Sequence, residues 1–177
     1  MNKTKKMIIL SLFVAKAIAL YIFESYIPNP FLFLSPGAKL GISNIVTLIC
    51  LELFGFKDTL IIVFLRILIS SFWGSLSSFL FSITGSVLSL LIMNLLIKYK
   101  KENLSIIGVS MAGSIFHNIG QLLVASFIIK DINIFMYLPV LFISSIPTGM
   151  FVGVVCKLFI DKYKNMLKRF QVLSIDK

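Results

Sequence analysis

Residues 106–129 read IIGVSMAGSIFHNIGQLLVASFII, an apolar run without a charged side chain. A bilayer core about 30 Å thick is crossed by about 20 apolar residues in a helix, so this run predicts a transmembrane helix. We therefore expect an all-α integral membrane protein, a six-transmembrane-helix bundle in a single domain over residues 1–177. Working outward from this run, similar runs predict helices over residues 7–27, 40–54, 58–72, 75–97, 105–129 and 135–161.

Two of these runs, residues 40–54 and 58–72, are short for a full crossing of the bilayer. They either tilt little or are completed by irregular backbone that is buried in protein. Five helices with one re-entrant segment are therefore the alternative to six.

The composition of the whole chain supports a location in the lipid bilayer. Of the 177 residues, 58% are hydrophobic and 14% are charged, against about 25% charged in soluble domains. Cys50 and Cys156 lie far apart in apolar runs, which favours buried thiols over a disulfide or a metal site. We expect neither a metal nor another cofactor.

The basic residues are distributed unequally between the two sides of the predicted bundle. Only Lys39 and Lys130 fall on the side opposite the termini, while Lys16 and Arg66 fall inside predicted helices. The positive-inside rule therefore predicts a multi-pass cell-membrane protein with both termini in the cytoplasm. A basic rim facing anionic lipid headgroups accounts for the net charge of +10 without a nucleic acid partner. The thirteen basic residues on the side of the termini are Lys3, Lys5, Lys6, Lys57, Lys98, Lys100, Lys101, Lys157, Lys162, Lys164, Lys168, Arg169 and Lys177.

Polar residues at membrane depth are the candidates for function, because their burial is costly. Lys39 and Asn44 lie at or just below the outer surface; they are a snorkelling lysine and a helix-packing amide, or ligand contacts. Arg66 lies about eight residues into the third helix. It either pairs with Glu52 or backbone carbonyls, or binds an anionic ligand through its guanidinium fork.

A second polar group lies in the fifth helix. His117 and Gln121 are four residues apart, and Asn118 and Gln121 three apart, so the spacing predicts that all three share one flank. A lone buried histidine is usually a core residue with satisfied hydrogen bonds. Three hydrogen-bonding side chains within five positions favour a ligand or transport-path role over helix packing.

Two further observations concern partners and catalysis. Ala15 and Ala19 form a small-residue face on the first helix, which allows another helix to approach closely. The seven acidic residues are scattered along the chain, and the sequence contains no aspartate-rich motif, P-loop or nucleophile motif. We therefore expect the chain not to be an enzyme, and any active transport to draw its energy from a partner or an ion gradient.

Five motifs lie along the predicted helices and the turns between them. They are Pro36-Gly37-Ala38-Lys39-Leu40-Gly41-x-x-Asn44-Ile45-Val46-Thr47-Leu48, Phe54-Gly55-Phe56-Lys57, Leu65-Arg66-Ile67-Leu68, Phe79-Leu80-Phe81-Ser82-x-x-Gly85-x-x-x-Ser89 and Gly108-Val109-Ser110-x-Ala112-Gly113-x-x-x-His117-Asn118-x-Gly120-Gln121. Together they resemble the motifs of the Gx transporter family, whose members are often labelled heptaprenyl diphosphate synthase component I. The resemblance extends over about residues 8–160. That family is similar to the substrate-binding S components of energy-coupling-factor (ECF) transporters.

The resemblance implies a six-helix protein with both termini inside and a ligand pocket in its outer half. It also implies that Ala15 and Ala19 dock on a transmembrane coupling subunit that is driven by two ATPases. We therefore expect a substrate-binding membrane subunit for uptake of a small molecule, whose ligand carries an anionic group. The alternative is a noncatalytic membrane component associated with heptaprenyl diphosphate or quinone biosynthesis. The expected substrate contacts are Lys39, Asn44, Arg66, His117, Asn118 and Gln121.

Overall fold

The computed structural model describes residues 3–27, 41–72, 75–99 and 104–175, with side chains described up to residue 163. Within these ranges the chain is helical and contains no β-strand, which confirms the predicted all-α class. A short 3-10 helix over Ile132–Tyr137 leads directly into the last α-helix. The α-helices are α1 (Lys3–Ser25), α2 (Asn44–Phe54), α3 (Phe56–Ser71), α4 (Leu76–Lys98), α5 (Ile106–Ile129) and α6 (Leu138–Ile175).

Four helical segments of the described chain are long and apolar enough to cross a membrane: Thr4–Ser25, Leu76–Lys98, Ile106–Ile129 and Ile132–Tyr163. These segments are those of a multi-pass membrane protein. By contrast, α2 has 11 residues and α3 has 16. At 1.5 Å per residue their lengths are about 17 and 24 Å, less than the bilayer core of about 30 Å.

The short helix α2 lies at the centre of the bundle. The eight residues Asn44–Leu51 are all buried, on every side of the helix, as expected for a helix that is enclosed by other helices. It contacts α1, α3, α4 and α6. Leu48 joins Val63 of α3, Leu90 of α4 and Cys156 of α6 in the main hydrophobic core.

The helices α4, α5 and α6 approach one another closely at glycines. A Cβ added at Gly120 of α5 would lie 2.8 Å from the Cα of Gly85 in α4. A Cβ at Gly149 of α6 would lie 2.6 Å from the Cα of Met111 in α5. These distances leave no room for a side chain, so the three helices pack backbone against backbone, as small residues allow in membranes. We call this unit the α4–α6 half.

The helix α1 packs on α3 and α2 at the periphery of the bundle. Val14 and Ala17 are its buried core residues. At one end of the bundle, Lys6 of α1 forms a 2.7 Å ion pair with Asp58 of α3. We call this the Asp58 end. The opposite end, where α1 ends and α2 begins, is the Glu24 end, and the helices α1, α2 and α3 together are the α1–α3 half.

Candidate functional site

Arg66 lies in the third turn of α3, toward the Glu24 end, and is only 3% exposed. Its Nη1 donates a 2.5 Å hydrogen bond to the hydroxyl of Ser43, which immediately precedes α2. Its Nη2 donates a 2.5 Å hydrogen bond to the hydroxyl of Ser86 in α4. The guanidinium therefore bridges three helices through serine hydroxyls, in place of Glu52 or the backbone carbonyls that the sequence suggested as protein partners.

The third polar atom of the Arg66 side chain, Nε, is buried and has no hydrogen-bond partner among the described residues. Both Nη atoms are already engaged by hydroxyls, which are neutral acceptors. A guanidinium forms its strongest hydrogen bonds with anions. The arrangement therefore has capacity for an additional acceptor beside Nε.

Glu24 is a buried carboxylate that the sequence analysis did not place in the site. It lies in the last turn of α1 and is 4% exposed. One carboxylate oxygen accepts a 2.5 Å hydrogen bond from the Gly41 N–H, and the other accepts a 3.4 Å bond from the Ser43 N–H. Ser43 also links it to Arg66, which donates to the hydroxyl of the same serine. One feature of the sequence could have indicated Glu24 as a site residue. It is a carboxylate inside an apolar run, and such residues are rare at membrane depth.

Asn44 is the first residue of α2 and is 5% exposed. Its Oδ1 is buried and accepts no hydrogen bond from the part of the chain that the structure describes. A Cβ added at Gly41 would lie 3.0 Å from Nδ2 of Asn44 and 3.8 Å from the ring of His117. These distances show that the backbone before α2 passes closely between the two side chains. Gly41 also has a φ of +84°, a conformation that favours glycine.

His117 and Gln121 of α5 are both buried and contact each other. Nε2 of Gln121 lies 3.0 Å from Nε2 of His117, and the carboxamide nitrogen donates because it carries no lone pair for accepting. A Cβ at Gly85 would lie 3.0 Å from the His117 ring, so the imidazole packs on the backbone of α4. Gly85 directly precedes Ser86, the partner of Arg66. The His117 pair and the Arg66 bridge are therefore neighbours.

Asn118 is separated from this pair. Its Nδ2 donates a 2.7 Å hydrogen bond to the Ser145 hydroxyl and a 3.4 Å bond to the Leu141 carbonyl, both in α6. The sequence predicted that Asn118 shares one flank with His117 and Gln121. In the structure, adjacent positions 117 and 118 point to different neighbouring helices, because successive helical residues are about 100° apart. The observed contacts of Asn118 are helix-packing contacts.

The predicted substrate contact Lys39 lies outside the described residues. The predicted docking residues Ala15 and Ala19 are exposed on α1, while Ala17 between them is buried. We call Glu24, Ser43, Asn44, Arg66, Ser86, His117 and Gln121 the polar cluster; four of its seven members were predicted from the sequence as substrate contacts.

An apolar groove of about 320 Å³ lies between α3 and α4. Leu60, Phe64, Ile83 and Val87 are among its lining residues. Leu65 and Ile67 also line it, whereas Arg66 between them donates to Ser43 and Ser86. The groove is therefore lined by apolar side chains next to Arg66 and Ser86, and neither of these two residues lines it.

Comparison with known proteins gives one match. A sequence model of the family described as heptaprenyl diphosphate synthase component I matches residues 13–159, which is most of the chain and includes every described member of the polar cluster. No curated protein and no solved structure matches the chain.

Proposed function

This chain belongs to the heptaprenyl diphosphate synthase component I family, and with this premise we propose that it is the substrate-binding membrane subunit of an uptake system for a small molecule. The observation that carries the proposal is the polar cluster, which combines a buried guanidinium with two buried polar atoms, Arg66 Nε and Asn44 Oδ1, that lack hydrogen-bond partners among the residues that the structure describes. A buried polar group without a partner costs about 1–3 kcal/mol. A ligand that supplies one acceptor and one donor removes both costs.

The proposed orientation places both termini in the cytoplasm and the polar cluster in the outer half of the membrane. The unequal distribution of basic residues supports this orientation. In it, the Lys6–Asp58 ion pair lies at the cytoplasmic end and Glu24 near the outer end. All six helices together then form one transmembrane domain, with the short helices α2 and α3 enclosed or completed by their neighbours.

The energy for uptake would come from a partner ATPase module through a coupling transmembrane subunit. Support comes from α1, whose Ala15 and Ala19 are exposed and small, so that a partner helix can approach closely. We also propose that the chain is not itself an enzyme. The sequence contains no clustered carboxylates that would serve metal-dependent catalysis, and no ATP-binding motif that would power uptake.

A second candidate function rests on the description of the family. That description names a component of a heptaprenyl diphosphate synthase, and the corresponding candidate is a noncatalytic membrane component associated with heptaprenyl diphosphate or quinone biosynthesis. In that case the chain would co-purify with a soluble prenyl synthase subunit. It would not co-purify with coupling and ATPase subunits.

Native mass spectrometry of the gently purified complex tests the proposal. We expect a retained small molecule together with a coupling subunit and ATPases. Replacing both Ala15 and Ala19 by Leu should abolish co-purification of the coupling subunit and leave the yield and melting temperature of the chain unchanged. Val154→Leu, on an exposed position of α6, is the matched control and should leave the complex intact.

Two outcomes contradict the proposal. Co-purification that survives both leucines would exclude this face of α1 as the docking surface. A prenyl synthase subunit in the complex, without coupling and ATPase subunits, would favour the second candidate function.

A further inference from the structure

Glu24 occupies a position that is well suited to an external anion. Its two carboxylate oxygens accept hydrogen bonds from the N–H groups of Gly41 and Ser43, directly before the first residue of α2. The N-terminus of a helix favours negative charge, because its N–H groups and the helix dipole point toward it. Glu24 comes to this point from the end of another helix, α1, 17 residues away from Gly41 in sequence.

Arg66 provides a second, independent indication of an anion site at the same point. Its Nη1 donates to the hydroxyl of Ser43, so the guanidinium lies at the start of α2 as well. The side chain is 3% exposed, and its Nε is buried without a partner in the described ranges. Neutral hydroxyls accept both of its Nη hydrogen bonds. Glu24 is joined to it through Ser43, whose N–H donates to the carboxylate and whose hydroxyl accepts from Arg66. The guanidinium of Arg66 therefore retains one hydrogen-bond donor, Nε, that can bind a ligand.

We propose that the Glu24 carboxylate is an internal stand-in for a carboxylate of the ligand. On binding, the ligand carboxylate replaces Glu24 at the N–H groups of Gly41 and Ser43, where the positive charge of Arg66, bonded to the Ser43 hydroxyl, attracts it. The inference rests on the proposed function, since it names the chemical class of the molecule that the polar cluster binds.

Charge and geometry select a carboxylate as the ligand group. Glu24 shows that a planar group with two oxygens and one negative charge fits the two N–H donors. Exchange of one monoanion for another keeps a counter-charge beside Arg66 throughout, so that no uncompensated guanidinium is left at membrane depth. The unpartnered Oδ1 of Asn44, a neighbouring acceptor, selects a ligand that also carries an N–H or O–H donor close to its carboxylate.

Glu24 lies near an exposed end of its helix. It is in the last turn of α1, which ends at Ser25, and Ser25 and Tyr26 are both exposed. A displaced Glu24 side chain would therefore move at the end of α1, next to exposed positions. Its departure removes the hydrogen bonds that tie the end of α1 to the start of α2.

The test uses acetate as the probe and the purified chain in nanodiscs, without partner proteins. Glu24→Gln keeps the shape of the side chain and one acceptor but removes the charge, whereas Glu24→Ala vacates the position. We expect both variants to bind acetate about 10-fold or more tightly than wild type, measured as a rise in melting temperature against a sodium chloride series of equal ionic strength. Asp58→Asn, which removes a carboxylate at the other end of the bundle, is the matched control and should bind acetate as wild type does.

Hydrogen–deuterium exchange reports on the two N–H groups themselves. The peptide containing Gly41 and Ser43 should exchange faster in Glu24→Ala than in wild type, and acetate should restore its protection. Adding Arg66→Gln to Glu24→Gln should abolish the gain in acetate affinity.

Three outcomes overturn the inference. They are equal or weaker acetate binding in both Glu24 variants, a gain that persists without Arg66, and a gain for inorganic phosphate with none for acetate. If Glu24→Ala does not fold, the isosteric Glu24→Gln alone decides. Since the assay contains no partner, its failure leaves the uptake proposal standing. Absence of a coupling subunit from the purified wild-type complex would contradict the uptake proposal and leave this inference standing.

Discussion

The two halves of the bundle are held together by different kinds of contact. In the α4–α6 half, backbone packs against backbone at Gly85, Gly120 and Gly149, where the fit is steric. In the α1–α3 half, two buried charged side chains at the Glu24 end, Glu24 and Arg66, make the connections between α1, α2 and α3. Steric fit has no alternative arrangement at low cost, whereas a hydrogen bond can be exchanged for another of the same kind. We therefore expect the α4–α6 half to be the scaffold and the α1–α3 half to rearrange on ligand binding.

The polar cluster lies on the boundary between these halves. Arg66 of α3 donates to Ser86 of α4, and the backbone at Gly41 passes beside His117 of α5. A rearrangement of the α1–α3 half therefore directly changes the contacts of Ser86 and His117 in the α4–α6 half. Four predictions test or sharpen this comparison.

The largest effect is expected at Arg66. Arg66→Leu removes the hydrogen bond to Ser86 across the boundary and the one to Ser43 within the α1–α3 half. A hydrogen bond to a charged group contributes about 1.5–3 kcal/mol, and the loss of two should appear as a lower free energy of unfolding in mixed-micelle SDS titrations. Arg66→Lys keeps the charge but cannot reach both hydroxyls with a fork, so its loss should be smaller. A leucine variant as stable as wild type would show that the halves are not joined here.

The next effect tests the steric contact of the scaffold. In Gly149→Ala, the new methyl group would lie 2.6 Å from the Cα of Met111, and backbone cannot move aside as a side chain can. Overpacking of this kind costs about 1–3 kcal/mol. Gly108→Ala is the matched control in α5, because its methyl group would lie 3.6 Å from the Ser105 hydroxyl, an ordinary contact. Equal stability of the two variants in the same SDS titration would refute the steric account.

A third effect separates packing from binding within α5. Asn118→Ala removes hydrogen bonds to Ser145 and Leu141, so its free energy of unfolding should fall by about 1 kcal/mol while ligand affinity is kept. Gln121→Ala removes the partner of His117 in the polar cluster and should weaken binding of the retained ligand by about 5- to 150-fold. Affinity and melting temperature are measured on the same samples. If Asn118→Ala weakened binding and Gln121→Ala lowered only the stability, the ligand site would lie between α5 and α6.

The smallest effect is expected at the Asp58 end. The Lys6–Asp58 pair joins α1 to α3, but Lys6 is 41% exposed and the attraction is screened by solvent. Asp58→Asn should lower the free energy of unfolding by less than about 1 kcal/mol, and added salt should reduce the difference further. A loss as large as that of Arg66→Leu would show that both ends of the α1–α3 half are held equally firmly.

The helical class was predictable because every apolar run of membrane length has few other stable conformations in lipid. The tight packing at Gly120 could also be predicted, since glycine in a membrane helix indicates that another helix approaches closely. The position of Arg66 indicated a buried partner, yet its identity was not accessible. Serines are numerous in this chain, and only the packing of α2 and α4 brings Ser43 and Ser86 within reach of the guanidinium.

The division of the polar residues of α5 shows a second limit of the sequence. Spacing alone places His117, Asn118 and Gln121 within reach of one another, and it does not say which neighbouring helix each one faces. The structure resolves this by placing α4 beside His117 and α6 beside Asn118. Glu24 was missed for a related reason, because its partners are backbone N–H groups, which leave no trace in residue identities.

The complete burial of α2 has a consequence for how the protein is made. An 11-residue helix is too short for the translocon to release it into lipid as an independent span, and residues Asn44–Leu51 have no lipid-facing side in the finished bundle. The chain reverses at Gly55, directly after α2, and continues as α3. The two short helices can therefore enter the membrane as one hairpin. We expect this hairpin to reach its buried place only after α4–α6 have been synthesised, which makes the packing of α2 and α3 a late step of folding.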